Sequence, residues 1–178
     1  WNHPGLGAVS PAEFIPVIEH SPHAQAMTAF VLDRALTQAR RWGGAEDGLV
    51  MSVNISAANL HEPDFASAVT AALRRHGLAP ERLELELTES AIMQDADQAR
   101  RQLDTLAAAG IRLAIDDFGT GYSSLAYLQD LPTQVVKIDR SFVLKLGNGE
   151  REQSLVRSMI GLSHDLNYRV VAEGVETV

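Results

Sequence analysis

A short apolar run that ends in a polar or charged residue recurs about every 30 residues through most of this chain, and that is the length of one strand–helix–strand step. The runs are LVMSVNIS (49–56), LELELTES (83–90), RLAIDDFG (112–119), QVVKID (134–139) and RVVAEGV (169–175). Each is short, and most are rich in β-branched residues or strictly alternating, which predicts strands. Between them apolar residues recur at helical spacing. Phe65, Val69 and Leu73 follow Pro63, placed as in a first helical turn, and stop at Gly77; Ala96, Ala99, Leu103 and Leu106 stop at Gly110. SSLAYLQD (123–130) predicts a short helix, and Leu155, Met159, Leu162 and Leu166 form the stripe of a longer one. Upstream, AEFIPVIE predicts a short apolar helix, and Leu32, Leu36 and Ala39 mark a longer one that ends at Gly43. Repeated βα units build a parallel sheet, either an open doubly wound sheet or most of a (β/α)8 barrel.

In either arrangement all strands point their C-terminal ends to one face, where such folds keep their chemistry. The residues at those ends are Asn54, Glu86 with Glu89 behind it, Asp116 and Asp117, Lys137 with Asp139, and Glu173 with Glu176. Oxygen donors with one lysine form a hard-ligand set, suited to Mg2+ or Mn2+. The carboxylates outnumber the needs of one ion, and two ions would clamp the attacking and leaving oxygens of an in-line phosphoryl displacement. Asp116 and Asp117 would face opposite ways on a regular strand; at a strand end, where the chain turns, both reach one site, and bound cations would relieve their repulsion. Lys137 would neutralise a phosphate oxygen or orient water, and Glu173 would accept a proton from the attacking water. Glu84 alternates in phase with Glu86, so the pattern alone does not separate the two. A single polar residue at a strand end is commonly a turn former or cap, and Asp139 suits a cap as well as a site.

Bulk properties narrow the function. The 178 residues suit one domain or two small ones, and with 46% hydrophobic and 21% charged residues they can bury a real core. A net charge of −8 without a cluster of Lys and Arg argues against binding a nucleic-acid polymer. With no cysteine, disulfides, thiolate zinc sites and cysteine nucleophiles are excluded. No run of about 20 apolar residues would span a membrane. The six histidines lack metal-ligand spacing and read as surface or core residues, and Trp1 and Trp42 read as packing residues. The abrupt ends, WNHP and VETV, read as the boundaries of a fragment.

DDFGTGYSSL (116–125) admits three readings. A phosphate-binding loop needs Gly-x4-Gly-Lys-Ser/Thr, which is absent. A kinase-type DFG needs an upstream Gly-rich loop and an HRD motif, also absent. A hinged loop after a metal-binding strand remains, with Gly119 and Gly121 giving backbone freedom around Thr120 and with Tyr122, Ser123 and Ser124 giving polar contacts.

In order and spacing, NIS (54–56), ELTES (86–90), DDFGTGYSSL (116–125), KIDRSF (137–142) and AEGVET (172–177) resemble the EAL-domain cyclic-di-GMP phosphodiesterases, and so does the opening WNHPGLGAVSPAEFIPVIE. The resemblance covers the whole chain. It implies a modified TIM (β/α)8 barrel, here most of it with both ends truncated, as a single partial domain over 1–178. It implies hydrolysis of cyclic di-GMP to linear pGpG with two Mg2+ or Mn2+ ions, inhibition by Ca2+, and a role in bacterial second-messenger signalling and biofilm control in the cytoplasm. By position, Asn54, Glu86, Asp116 and Asp117 are the implied metal ligands, with Asp116 shared between the ions. Lys137 would hold the nucleophilic water and Glu173 would be its base. Glu89 would fix the loop after the Asp pair, with Gly119, Gly121, Tyr122, Ser123, Asp139 and Glu176 in support. Implied partners are a second copy, through the barrel, and sensor or diguanylate-cyclase domains, with membrane anchoring in a parent protein. The Glu-Ala-Leu signature itself is not in these residues, so the 178 alone are expected to hydrolyse poorly. The alternative is a silent cyclic-di-GMP receptor or interaction module.

Overall fold

The computed structural model describes residues 1–43, 48–121 and 128–176. A two-strand antiparallel hairpin, β1 (Asn2–His3) and β2 (Gly7–Ala8), leads into α1 (Pro11–Glu19) and α2 (Ala24–Arg41). Then come β3 (Met51–Asn54), α3 (Ala57–Leu60), α4 (Phe65–His76), β4 (Leu83–Thr88), α5 (Glu89–Met93), α6 (Ala96–Ala108), β5 (Arg112–Phe118) and β6 (Val135–Ile138). The chain continues through the one-turn helix α7 (Arg140–Val143), α8 (Glu150–Asp165) and β7 (Arg169–Ala172). Strands β3 to β7 form one parallel sheet in sequential order, β3-β4-β5-β6-β7. A doubly wound sheet requires its strand order to reverse at a switch point. Among the described strands no reversal occurs, so the sheet is an arc of barrel-type strands.

Alternation in β4 shows how sequence sets the two faces. Leu83, Leu85 and Leu87 are fully buried and join Leu36, Leu73, Leu103 and Leu106 of the helical layer in one core. Each such leucine contributes roughly 1.5–3 kcal/mol by leaving water. Glu84 and Glu86 project from the opposite, inner face. They have different surroundings there: Glu84 accepts a hydrogen bond from Ser52 Oγ at 3.0 Å, near the start of the strand, while Glu86 lies toward its C-terminal end, where Asn54 is its register partner on β3.

Several sequence expectations shift. Each strand is shorter than the run that predicted it, and β4 and β6 end where Thr88 and Asp139 cap the helices that follow. Thr88 caps α5 by accepting a hydrogen bond from the Ala91 amide, so ELTES divides between β4 and α5. Asp64 rather than Pro63 borders α4, whose C-terminal Gly77 is left-handed at φ 64°. The buried stripe of α8 is Val156, Met159 and Ser163, and Leu155 is exposed, so the helix is rotated from the expected stripe. Trp1 and Trp42 are 61% and 52% exposed rather than packed away, although Trp1 meets His3 and Phe14 edge-on. Most of the helix expected over 123–130, with Tyr122 and Ser123, lies outside the described residues.

Candidate active site at the C-terminal ends of the strands

The Asp116–Asp117 pair is not at a turn after β5 but inside it, at a β-bulge. Ile115 pairs with Val136 and Phe118 pairs with Ile138, so two aspartates stand opposite the single residue Lys137. An extra residue shifts the alternation by one. Asp116 keeps the inner-face phase of Ala114, Asp117 is the inserted residue, and Phe118 returns to the core with Leu113 and Ile115. Asp117 takes a left-handed φ of 52°, unusual for any residue but glycine, though aspartate tolerates it better than most. Its amide donates to Asp116 Oδ1 at 3.0 Å, and its carbonyl accepts from the Thr120 amide and hydroxyl. The backbone thus folds tightly around the pair, which is how neighbouring carboxylates both escape the helix-facing layer.

Lys137 stands at the centre. Its Nζ lies 2.8 Å from Glu86 Oε1 and 3.0 Å from Glu173 Oε1, linking the ends of β4, β6 and β7. Burial disfavours the ammonium, but hydrogen bonds to Glu86 and Glu173 outweigh it and hold the lysine pKa above its ordinary value. Lys137 is therefore a fixed donor rather than a base. Asp116 is pushed up to about 6, first by burial and then by the charge of Glu173, with its bond from the Asp117 amide and the charge of Lys137 partly opposing. Asp117 is raised as well, by burial first and then by Asp139 and Glu173. Asp139 is lowered, chiefly by hydrogen bonding to Ser141, whose amide it accepts at 3.0 Å as the N-cap of α7. The cap reading of Asp139 holds, and its charge also reaches Asp117.

The other expected site residues divide. Glu89 is 3% exposed, and its Oε2 accepts the Gly119 amide at 3.2 Å, which ties α5 to the loop after β5. Gly119 has φ 95° and needs glycine for its backbone. Gly121 needs it for space instead, since a Cβ there would lie 3.0 Å from the Glu89 carboxyl. Asn54 is exposed beside Glu86 on the next strand. Glu176 is exposed, and among the described residues it makes no hydrogen bond or ion pair. Sequence reasoning passed over Gly174, at φ 71° directly after Glu173, and Arg140, whose Cβ lies against it. A glycine inside a strand-end motif was the available signal.

Among the described residues no three Asp, Glu or His side chains converge as a ready-made metal cage. The donor chemistry nevertheless fits a hard divalent cation. Glu86 and Glu173 are oxygen donors on the Lys137 ammonium, and Asp116 and Asp117 stand beside it; burial first, and then the charge of Glu173, raise Asp116, a carboxylate that a bound cation would favour.

Sequence and fold comparisons place this arc among known proteins. The bifunctional diguanylate cyclase/cyclic di-GMP phosphodiesterase MucR of Pseudomonas aeruginosa is 42% identical over 179 residues, covering 99% of this chain and 26% of that protein. The chain spans about a quarter of the length of the curated relatives it matches. The structure of the phosphodiesterase PaMucR in complex with c-di-GMP superposes with a TM-score of 0.91 at 41% identity, over 99% of this chain and 72% of that one. The calcium/cyclic-di-GMP complex of BlrP1 from Klebsiella pneumoniae gives 0.82 at 31% identity, over 94% of this chain and 42% of that one. These likenesses make the fold a modified TIM barrel of the EAL type. The EAL domain sequence profile matches residues 1–178 from end to end, and the chain belongs to the EAL domain family.

Proposed function

We propose that the protein is a metal-dependent phosphodiesterase that hydrolyses cyclic di-GMP to linear pGpG, with residues 1–178 acting as part of a single EAL domain. The observation that carries this reading is Lys137, bridged between Glu86 and Glu173 beside the bulged Asp116–Asp117 pair. Asn54, Glu86, Asp116 and Asp117 would hold two Mg2+ or Mn2+ ions. Bound ions would supply Lewis acidity toward the scissile phosphate.

The chain's own residues do the rest. Lys137, locked as an ammonium, donates to the attacking water or to a non-bridging phosphate oxygen and fixes its direction. Glu173 Oε1 lies within hydrogen-bond reach of Lys137 Nζ, so a water held by the lysine has a carboxylate beside it to accept its proton. Glu89 holds the Gly119 amide and sets the loop that borders the site. One relative, MucR, is named a bifunctional diguanylate cyclase and phosphodiesterase, so this domain fits a signalling protein that adjusts second-messenger levels. No helix among the described residues is long and apolar enough to cross a membrane.

The test is chromatographic. Full-length protein is incubated with cyclic di-GMP and Mg2+, Mn2+ or Ca2+, and conversion to pGpG is followed. Conversion with Mg2+ or Mn2+, suppressed by Ca2+, is the expected result. Tight nucleotide binding without conversion would assign the receptor role instead.

A further inference from the structure

Two glycines of the site pack against α7 with little or no room for a side chain between. Gly119, in the loop after Asp117, faces α7 and α8: a Cβ there would lie 3.1 Å from Phe142 Cε2 and 2.4 Å from Met159 Cε. Gly174, which follows Glu173, faces α7 from the other side: a Cβ there would lie 2.8 Å from Arg140 Cβ. Both glycines have left-handed φ, 95° and 71°. The two contacts differ in how far they can yield. Met159 Cε is the far end of a flexible side chain, whereas Arg140 Cβ cannot retreat unless the α7 backbone moves. That backbone is itself held. Asp139 caps it through the Ser141 amide, the Phe142 amide donates to the Asp139 carbonyl, and the Leu144 amide donates to the Arg140 carbonyl at 2.9 Å.

We infer that α7 is a wedge that positions both flanks of the site, with Arg140 setting the Glu173 carboxylate through Gly174 and Phe142 setting the loop after Asp117 through Gly119. Glu173 has one backbone tie of its own, from its amide to the Ile138 carbonyl at 3.2 Å, and its carboxylate must still reach Lys137 at 3.0 Å. A hard contact one residue away fixes where that carboxylate points. On the opposite flank, the Glu89 carboxylate holds Gly119 from one side while Phe142 and Met159 back it from the other. Arg140 and Phe142 are positioning residues here. They act through Glu173 and the loop, and the RSF that follows Lys137-Ile-Asp139 in the sequence thereby acquires a task. The inference rests on the proposed catalytic roles of Glu173 and of that loop.

The test is a rescue experiment in the full-length protein. Gly174→Ala should lower kcat about 100-fold, the scale of an ångström-sized misplacement, with KM changed less than about twofold. Adding Arg140→Gly removes the opposing Cβ and should restore about tenfold of that loss. The left-handed backbone at 174 is common to the single and the double variant and cancels between them. Phe142→Ala should lower kcat about tenfold, and Phe142→Leu should recover most of it. A crystal structure of Gly174→Ala should show Lys137 Nζ separated from Glu173, with contact regained in the double variant. Unchanged kcat in Gly174→Ala, or a loss that Arg140→Gly does not relieve, would overturn the wedge. If the wild-type protein fails to turn over cyclic di-GMP, the catalytic reading falls by itself, and the Lys137–Glu173 separation in the two crystal structures still decides the wedge.

Discussion

Leu85 and Glu86 are neighbours on β4 and both are buried, but they are buried by different means. Leu85 faces the helices and rests among leucines of α2, α4 and α6. Glu86 faces the inner side of the arc, and among the described residues its charge is answered by Lys137 alone. The same division runs along β5, where Leu113 and Ile115 pack into the core while Asp116, one residue on, sits among like charges. On the helix-facing side of β4 and β5 the alternation of the sequence agrees with the fold. On the inner rim the chain keeps a bulge, a left-handed aspartate and poorly compensated carboxylates. Such departures from local consistency concentrate at functional sites.

Asp116→Asn should have the largest effect on the rim. Turnover of cyclic di-GMP should fall by about 100- to 1000-fold, the loss typical of removing one electrostatic partner of a transition state. Thermal unfolding of the metal-free variant should not fall and should move upward, because a charge the fold disfavours is gone. Lys137→Ala comes next. It strands the Glu86 carboxylate in a buried position and should cost about 3–5 kcal/mol in denaturant unfolding, with partial recovery when Glu86→Gln is added. Leu85→Ala probes the other side and should cost about 2–5 kcal/mol through the cavity it opens, with kcat per folded molecule nearly unchanged. A large loss of kcat in Leu85→Ala would blur the distinction between core and rim.

The smallest effect is in pH. Asp116 has a folded pKa of about 6 against 3.8 for the ordinary group. Below 3.8 the carboxyl is protonated in both states and nothing is lost. As pH rises from about 4 to about 6 the unfolded chain ionises first, so this group's contribution to stability declines, and above 6 the full penalty is present. The group is partly exposed, so solvent screening keeps the decline modest. Melting temperature of the metal-free protein, followed from pH 4 to 7 in wild type and Asp116→Asn, should show a difference that grows with pH. A difference that shrinks with pH would place Asp116 in a stabilising pair instead.

Much of this was legible in the sequence. LELELT announces its two faces by strict alternation, and the repeating strand–helix step predicts the parallel sheet. Polar residues at the strand ends identify the rim because parallel strands share one polarity. Other features were not legible, for physical reasons. Adjacent aspartates do not disclose whether they sit at a turn or on a bulge, since that depends on the pairing of β5 with β6. The rotation of α8 toward Val156 and Met159 depends on its packing against the sheet and the loop at Gly119. The need for glycine at 174 arises from Arg140, 34 residues away in the chain, and no local pattern encodes that contact.

If the acidic rim binds divalent cations and uses them on cyclic di-GMP, as proposed, turnover must depend on the metal. The most direct measurement is conversion of cyclic di-GMP to pGpG by the full-length wild-type protein, with Mg2+ or Mn2+ and again after chelation by EDTA. Conversion that requires the added metal, and that Asp116→Asn lowers at least about 100-fold, is the predicted result. Conversion that persists undiminished in EDTA, or in Asp116→Asn, would contradict the account.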